Sequence, residues 1–312
     1  MTELRPVVLV TGANGFVGRH LSAVLESRGW MVRRAQRMLT GGEYEVQIGS
    51  IGPRTDWRPA LDGVDAVVHL AARVHHPNEE HTAEVYRAIN TEGTLQLARC
   101  AAAADVQHFI YLSTILVNGA TTEGRAPFRE GDDPKPRGVY GMSKAAAESG
   151  LEAIAAQTGM QASIIRPPLI YGAGASGNFQ LLVNAVRLGV PLPIASIFNR
   201  RAFLSVQNLS SFIAHRLEAA GRNLHVFLVA DDEQVSTPEF VRQIAEAIGK
   251  PARLMPSPEL LLRGLLKLGG RGDAGDSLIG SMEVDTSKAR SNGWRPELSQ
   301  QAGLRLAVGA FR

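Results

Sequence analysis

The chain has 312 residues, 45% hydrophobic and 20% charged, which suits one large α/β domain or a nucleotide-binding domain with a smaller one attached. A formal net charge of +3, spread without a dense basic run, argues against a nucleic-acid partner and fits a mildly basic cleft for an anionic small molecule. The single cysteine, Cys100, excludes an intrachain disulfide. No leader pattern and no bilayer-length apolar run stands out, so no membrane insertion and a cytoplasmic location are expected.

The first half alternates apolar runs with helical periodicity. Residues 7–10 are all apolar, as in a strand buried on both faces. Phe16, Val17, Leu21, Val24 and Leu25 then recur at helical spacing, and Gly29 ends that helix. Strands are predicted over 31–35, 45–48 and 66–70, a long alanine-rich helix over 90–104, a strand over 109–113, a helix over 140–158 and a strand over 164–166 stopped by Pro167-Pro168. Strands alternating with helices imply parallel strands joined by right-handed crossovers, a Rossmann-type doubly wound α/β sheet. Beyond Pro168 the alternation stops and prolines punctuate the chain. Thr237 is predicted to cap a helix with Pro238 at its first position and Phe240, Val241, Ile244 and Ile248 as its buried stripe. The expected division is 1–168 plus about 202–230 as the dinucleotide-binding domain, with about 169–201 and 231–312 as a smaller substrate lobe.

Between the first strand and first helix lies Gly12-Ala13-Asn14-Gly15-Phe16-Val17-Gly18. In this pattern the first glycine permits a tight turn, the second lets the backbone approach a pyrophosphate, and the third lets helix and strand pack closely. The helix N-terminus offers free N–H groups and a positive dipole end to the phosphate. At the end of the second strand an acid would bind the ribose hydroxyls of NAD, and an arginine would accommodate the extra phosphate of NADP. Here Gln36 stands near the acid position and Arg37 follows, which favours NADP(H) and leaves NAD(H) as the other possibility.

Tyr140-Gly141-Met142-Ser143-Lys144 places a phenol and an ammonium four residues apart, on one face of a helix. A nearby ammonium favours the phenolate and is expected to lower the tyrosine's pKa from its ordinary value near 10. Thr114, just past the 109–113 strand, is positioned to hydrogen-bond a substrate oxygen and the tyrosine.

With these motifs in order the sequence resembles the extended short-chain dehydrogenase/reductases, the NAD-dependent epimerase/dehydratase family. Gly12–Gly18, His69-Leu70-Ala71-Ala72, Asn90, the 112–119 segment, Tyr140–Lys144 and the 166–172 segment carry the likeness, which covers nearly the whole chain. The resemblance implies Tyr140 as acid–base, Lys144 as its partner and holder of the nicotinamide ribose, and Thr114 as the assisting hydroxyl, with Ser113 a weaker candidate. It implies that Leu70, Ala71, Ala72 and Pro167 line the cofactor cleft. It also implies a UDP-sugar substrate whose diphosphate meets Asn178 and Arg201, with Arg200 sharing the task; arginine's planar fork binds phosphate oxygens in pairs.

There are departures from the family pattern. Asn118 replaces a common tyrosine, Leu169 a frequent asparagine and Asn208 a frequent aspartate. Thr114-Ile115-Leu116 lacks the acid pair of the sugar dehydratases. His75, His76 and His81 lack a completing ligand set, so no metal is expected. The leucine-rich 260–268 stretch is read as packing within the smaller lobe or at an interface. The resemblance also implies a homodimer through the long helices carrying Ala101–Ala104 and Ala145–Ala147. Its surface-polysaccharide branch implies reduction of the C4 ketone of a UDP-4-keto-6-deoxy-N-acetylhexosamine. The alternative is a UDP-hexose 4-epimerase, on UDP-glucose or UDP-N-acetylglucosamine, with tightly bound NAD.

Overall fold

The computed structural model describes residues 5–74, 82–219, 223–258 and 279–309. The chain divides into two compact units. Unit 1 comprises Met1–Gly119, Asp133–Pro167 and Ser210–Leu228, and unit 2 comprises Ala120–Asp132, Pro168–Leu209 and Val229–Arg312. Residues 120–132 and 202–209, assigned from the sequence to the nucleotide-binding part, fall in unit 2.

Unit 1 is built on a seven-stranded sheet. Its strands are β1 (Val7–Thr11), β2 (Met31–Gln36), β3 (Glu45–Gln47), β4 (Ala66–His69), β5 (His108–Leu112), β6 (Gln161–Arg166) and β9 (Leu224–Leu228). Their order is β3-β2-β1-β4-β5-β6-β9, and every pairing is parallel. Parallel pairing follows from the intervening helices: α1 (Phe16–Ser27) returns the chain from β1 to β2, and α5 (Gly138–Thr158) returns it to β6. The chain leaves β1 toward β2 on one side and later places β4 on the other, so the crevice at the C-terminal end of β1 is the topological switch point where such sheets bind ligands. Val8, Leu9, Val10, Val67, Val68, Phe109, Ile110, Ile164 and Ile165 form the sheet's interior, buried on both faces as the continuous apolar runs required.

The long helix expected over 90–104 begins earlier and is not uniform. A short helix, α3 (Ala83–Tyr86), runs into a π-helical segment (Arg87–Gly93) and then into α4 (Thr94–Ala103). Gly150 of α5 lies against Leu95 of α4 so closely that a Cβ would sit 2.6 Å from both leucine methyl carbons.

Unit 2 contains a three-stranded sheet that the sequence reading did not anticipate: β10 (Gln234–Val235), β8 (Arg201–Ser205) and β7 (Leu169–Tyr171), in that order. β7 and β8 pair parallel, and β10 pairs antiparallel to β8. Around it lie α6 (Asn178–Leu188), α8 (Thr237–Ile248), α9 (Ser287–Ser291) and α10 (Gln300–Gly309), while α7 (Val206–Glu218) carries the chain from unit 2 back to unit 1. Phe240 of α8 stacks on Phe203 of β8, with ring centroids 3.7 Å apart. The cap of α8 differs from expectation. Ser236 is the N-cap, its side chain accepting from the Glu239 N–H, and Thr237 is the first helical residue. Thr237 is committed elsewhere: its N–H donates to Asn199 Oδ1 at 2.8 Å, and its hydroxyl accepts from Asn199 Nδ2 at 2.9 Å.

Candidate active site

The glycine loop is shaped for a dinucleotide. Gly12 adopts φ +69°, and a Cβ there would lie 3.0 Å from the Ala71 backbone nitrogen. A Cβ on Gly18 would lie 2.2 Å from the Gly12 carbonyl oxygen and 2.6 Å from Ala13 Cα, so only glycine permits this contact between helix and loop. The Gly15 N–H donates to the Gly12 carbonyl at 2.9 Å, closing the turn. α1 starts at Phe16 with no side-chain cap and no acidic residue in its first turn, so its N-terminal N–H groups and dipole remain for an anion. These residues fit the pyrophosphate of a nicotinamide dinucleotide, with Gly12, Asn14, Gly15, Phe16, Val17 and Gly18 forming the cradle.

A hydrogen-bonded chain ties that loop to the next strand. Thr11 Oγ1 accepts from the N–H groups of Leu70 and Ala71, both at 3.2 Å, and pairs with His69 Nδ1 at 2.7 Å. His69 Nε2 pairs with Thr94 Oγ1 at 3.0 Å, and the Thr94 hydroxyl donates to the Asn90 carbonyl. With Thr94 donating onward, its oxygen accepts from His69, and the consistent tautomer carries the proton on Nε2. Full burial lowers the His69 pKa to about 3, with the Lys144 charge adding to the effect. The imidazole is therefore a neutral strut, joined through Thr11 Oγ1 to the N–H groups of Leu70 and Ala71. Asn90 lies in the π-helical segment. It accepts from the Arg73 N–H, and its Nδ2 serves both the Arg73 carbonyl and Ser143 Oγ, linking the end of β4 to α5.

At the end of β2, Gln36 is buried, with its amide held by Asn14 of the glycine loop and by Glu45 of β3. Sequence reasoning found no acid here, yet β3 supplies one from the adjacent strand. Glu45 is already engaged: besides Gln36 it accepts from the Thr40 N–H and hydroxyl and the Gly41 N–H, and these bonds hold its carboxyl below the ordinary range. Arg37, the next residue along, is exposed.

Tyr140 and Lys144 lie one turn apart on α5. Lys144 is buried. Its Nζ donates to the Leu112 carbonyl at 2.8 Å, stands 4.5 Å from the centre of the Tyr111 ring and 5.9 Å from that of Tyr140. Tyr140 is half-buried and packs edge-on to Tyr86, with centroids 6.4 Å apart. The expected lowering of the phenol is not present in the protein by itself. Burial, with Tyr86 nearby, pushes Tyr140 up to about 12, and burial pulls Lys144 down to about 7 against the opposing attraction of Glu148. The desolvation that sets both values was not legible in the spacing of the two residues. Thr114 is buried just past β5, and its Oγ1 accepts the Leu116 N–H at 3.3 Å. Pro167 is buried at the end of β6, and its carbonyl accepts the Ile115 N–H at 2.9 Å.

Beside this pair lies a buried charged cluster that sequence reasoning missed. Arg166 clamps Glu148 through Nε and Nη2, the closest contact being 2.6 Å, and its Nη1 donates to Asn118 Oδ1 at 2.9 Å. Ser113 Oγ donates to the same Glu148 carboxylate. Asn118, the departure from the family's tyrosine, thus satisfies the arginine. The available signal was an acid eight residues after Tyr140 together with an arginine before Pro167. Only the tertiary fold shows that they meet.

The sequence-assigned diphosphate residues all belong to unit 2. Arg201 is buried on β8, donates to the Gly280 carbonyl at 2.5 Å, and is lowered to about 10 by desolvation. Arg200 is exposed and pairs with Glu283 at 2.8 Å. Asn178 is the first residue of α6, following Gly177 in the cap position. Asn208 donates to Asp231 at 2.7 Å and to the Leu298 carbonyl, and it accepts the Leu298 N–H. An aspartate there could not donate to Asp231, which accounts for the amide. His75, His76, His81 and the 260–268 stretch lie outside the described residues. Among the described residues no cluster of three His, Cys, Asp or Glu side chains is suited to a metal ion, and no helix is long and apolar enough to cross a membrane.

The family model described as the NAD dependent epimerase/dehydratase family matches residues 8–230. The chain belongs to this family. It is 37% identical to the UDP-glucose 4-epimerase of Vibrio cholerae over 312 residues, covering 97% of this chain and 95% of that protein. It is 28% identical to the GDP-6-deoxy-D-mannose reductase of Pseudomonas aeruginosa, covering 96% and 95% respectively. Its fold resembles that of MoeE5 solved in complex with UDP-glucuronic acid and NAD, with a TM-score of 0.79 at 25% identity and 98% of each chain covered. This family uses a nicotinamide cofactor, and the Rossmann-type fold expected from the sequence is the fold observed.

Proposed function

We propose that this protein transfers hydride at C4 of a UDP-linked hexose, and that its net reaction is reduction of a 4-keto group with NADPH. The observation that carries the choice of NADPH is the end of β2: Gln36 is held by Asn14 and Glu45, the Glu45 carboxylate is already engaged by four donors, and Arg37 stands exposed. A carboxylate so engaged has little capacity left for ribose hydroxyls, whereas an exposed guanidinium suits a 2′-phosphate.

When bound, the dinucleotide supplies the hydride. The residues of unit 1 do the rest. The glycine loop and the start of α1 hold the pyrophosphate. Lys144 holds the nicotinamide ribose. Tyr140 gives its phenolic proton to the C4 oxygen as negative charge develops there, and Thr114 gives a second hydrogen bond to that oxygen. A phenol whose pKa stands near 12 remains protonated at neutral pH, the state a general acid needs. Asn178, Arg200 and Arg201 are retained as the proposed contacts of the UDP diphosphate, and a homodimer as the proposed assembly.

A second reading has a specific observation behind it. The 37% identical relative is named UDP-glucose 4-epimerase; in a 4-epimerisation the tyrosine would have to start as the phenolate, take the C4 hydroxyl proton and later return it. The two readings separate by cofactor use. A reductase consumes NADPH in proportion to product, and an epimerase converts its substrate with no net consumption. Incubation with NADPH and a UDP-4-keto-6-deoxy-N-acetylhexosamine, followed at the reduced-nicotinamide absorbance band, decides between them.

A further inference from the structure

Lys144 occupies an unusual place for a group that must carry charge. It is 1% exposed, and its described hydrogen bond goes to a neutral carbonyl, that of Leu112. Desolvation of this kind favours the free amine. Two features oppose it: the Tyr111 ring face at 4.5 Å, and Glu148 one turn further along the same helix. Glu148 is not a mobile surface acid. Arg166 grips both of its oxygens and Ser113 donates to one of them, so its position is fixed by β6, by the residue that follows β5 and by α5 together.

We propose that Glu148 is a positioning residue that keeps Lys144 charged within the desolvated site. Arg166 and Ser113 act through it by fixing its carboxylate. The inference rests on the Tyr140–Lys144 reading of the active site, and it holds whether the net reaction is reduction or epimerisation. Among the described residues, the ionisable groups near the lysine are Tyr140 and Glu148 on α5, Tyr111 on β5 and His69 on β4, with Arg166 of β6 paired to Glu148. His69 is neutral across the working range, and Tyr111 stays protonated because burial raises it. Glu148 is therefore the negative charge in this set, one turn from Lys144 on α5. Its carboxylate does two jobs: it neutralises Arg166, and it supports the ammonium. A purely structural ion pair would do only the first.

The test is direct titration of Lys144 in the full-length protein labelled with 13Cε-lysine, the resonance being assigned with Lys144→Met. Glu148→Gln leaves Arg166 buried without its counter-charge and is at risk of misfolding. The double variant Glu148→Met/Arg166→Met removes both charges at similar volume, a replacement that buried ion pairs often tolerate. The double variant also removes the Arg166 charge, which opposes that of Glu148. The expected Lys144 midpoint in it is therefore lower than in the parent by less than the full effect of a lost neighbouring opposite charge, and it is lowest in any Glu148→Gln protein that folds, where Arg166 remains. A parallel measurement follows the dissociation constant of NADPH against pH, and its inflection should move the same way. A folded double variant whose Lys144 midpoint matches the parent protein overturns the proposal. The NMR titration needs neither substrate nor cofactor. Failure of the reductase reading, seen as absence of NADPH consumption, is thereby distinguishable from failure of this one.

Discussion

In the proposed mechanism Tyr140 supplies the proton and Lys144 holds the nicotinamide ribose, so the two roles can be tested apart. Tyr140→Phe removes the acidic proton and leaves the ring against Tyr86, so it should spare NADPH binding and lower turnover by about 100-fold or more, the usual scale for a lost general acid. Stopped-assay rates beside a binding titration check this, and a comparable loss of NADPH affinity would contradict the assignment. Gly18 makes a second single-residue case. Gly18→Ala places a Cβ against the Gly12 carbonyl and Ala13 Cα, where neither the loop nor α1 can give way without losing the pyrophosphate cradle. Loss of dinucleotide binding, read by titration, together with a lowered melting temperature is expected. His69 and His108 predict a pH effect on stability. Both are buried with pKa values lowered to about 3 from 6.5. Between those limits the unfolded chain binds protons that the folded chain excludes. Their contribution is therefore present above about pH 6.5 and lost as pH falls toward 3. Denaturant unfolding repeated from pH 7 to pH 4 should show stability declining on the acid side, with a smaller slope in a folded His108→Asn variant.

At the scale of elements, much of the framework was legible because the local code and the tertiary structure agree. The runs expected at 7–10 and 66–70 form β1 and β4, buried apart from the partly exposed Val7 and Leu70, and the Gly12–Gly18 pattern falls between strand and helix as its mechanism requires. The misses have physical reasons. The π-helical segment containing Asn90 inserts its irregularity inside an alanine-rich helical pattern, and side-chain periodicity does not reveal which backbone ladder a helix uses. The β7–β8–β10 sheet was missed because 201–206 was read only for the arginine expected to meet a diphosphate, although Arg201–Ser205 is buried throughout. Glu148 and Arg166 lie on a helix and a strand whose proximity no local pattern encodes, and Glu45 reaches Gln36 from the neighbouring strand. The cap of α8 shows how a neighbour decides a boundary: Asn199 takes up Thr237, and Ser236 serves as cap. Ser236→Ala should cost about 1 kcal/mol, the ordinary value of an N-cap side chain, while Thr237→Ala should act through Asn199 instead. Equilibrium unfolding of the two variants, with a third at Asn199 for a double-mutant cycle, separates the cases. Coupling between Asn199 and Ser236 comparable with that between Asn199 and Thr237 would contradict this account.

For the whole molecule, the family is established and the net reaction is the point at issue. In their proposed roles Tyr140, Lys144 and Thr114 would serve a reductase and an epimerase alike, so the two are separated by cofactor use. Gln36, locked in place at the nucleotide-binding end of the sheet, and the exposed Arg37 favour the proposed NADPH-dependent reduction. The measurement that tests it most directly mixes the purified protein with NADPH and UDP-4-keto-6-deoxy-N-acetylglucosamine, and follows the nicotinamide absorbance while the sugar nucleotide is resolved chromatographically. The account predicts NADPH oxidation in step with formation of a 4-hydroxy product, abolished to within a few per cent by Tyr140→Phe. Unchanged NADPH, with UDP-glucose or UDP-N-acetylglucosamine converted to its C4 epimer in a parallel reaction without added cofactor, would contradict it.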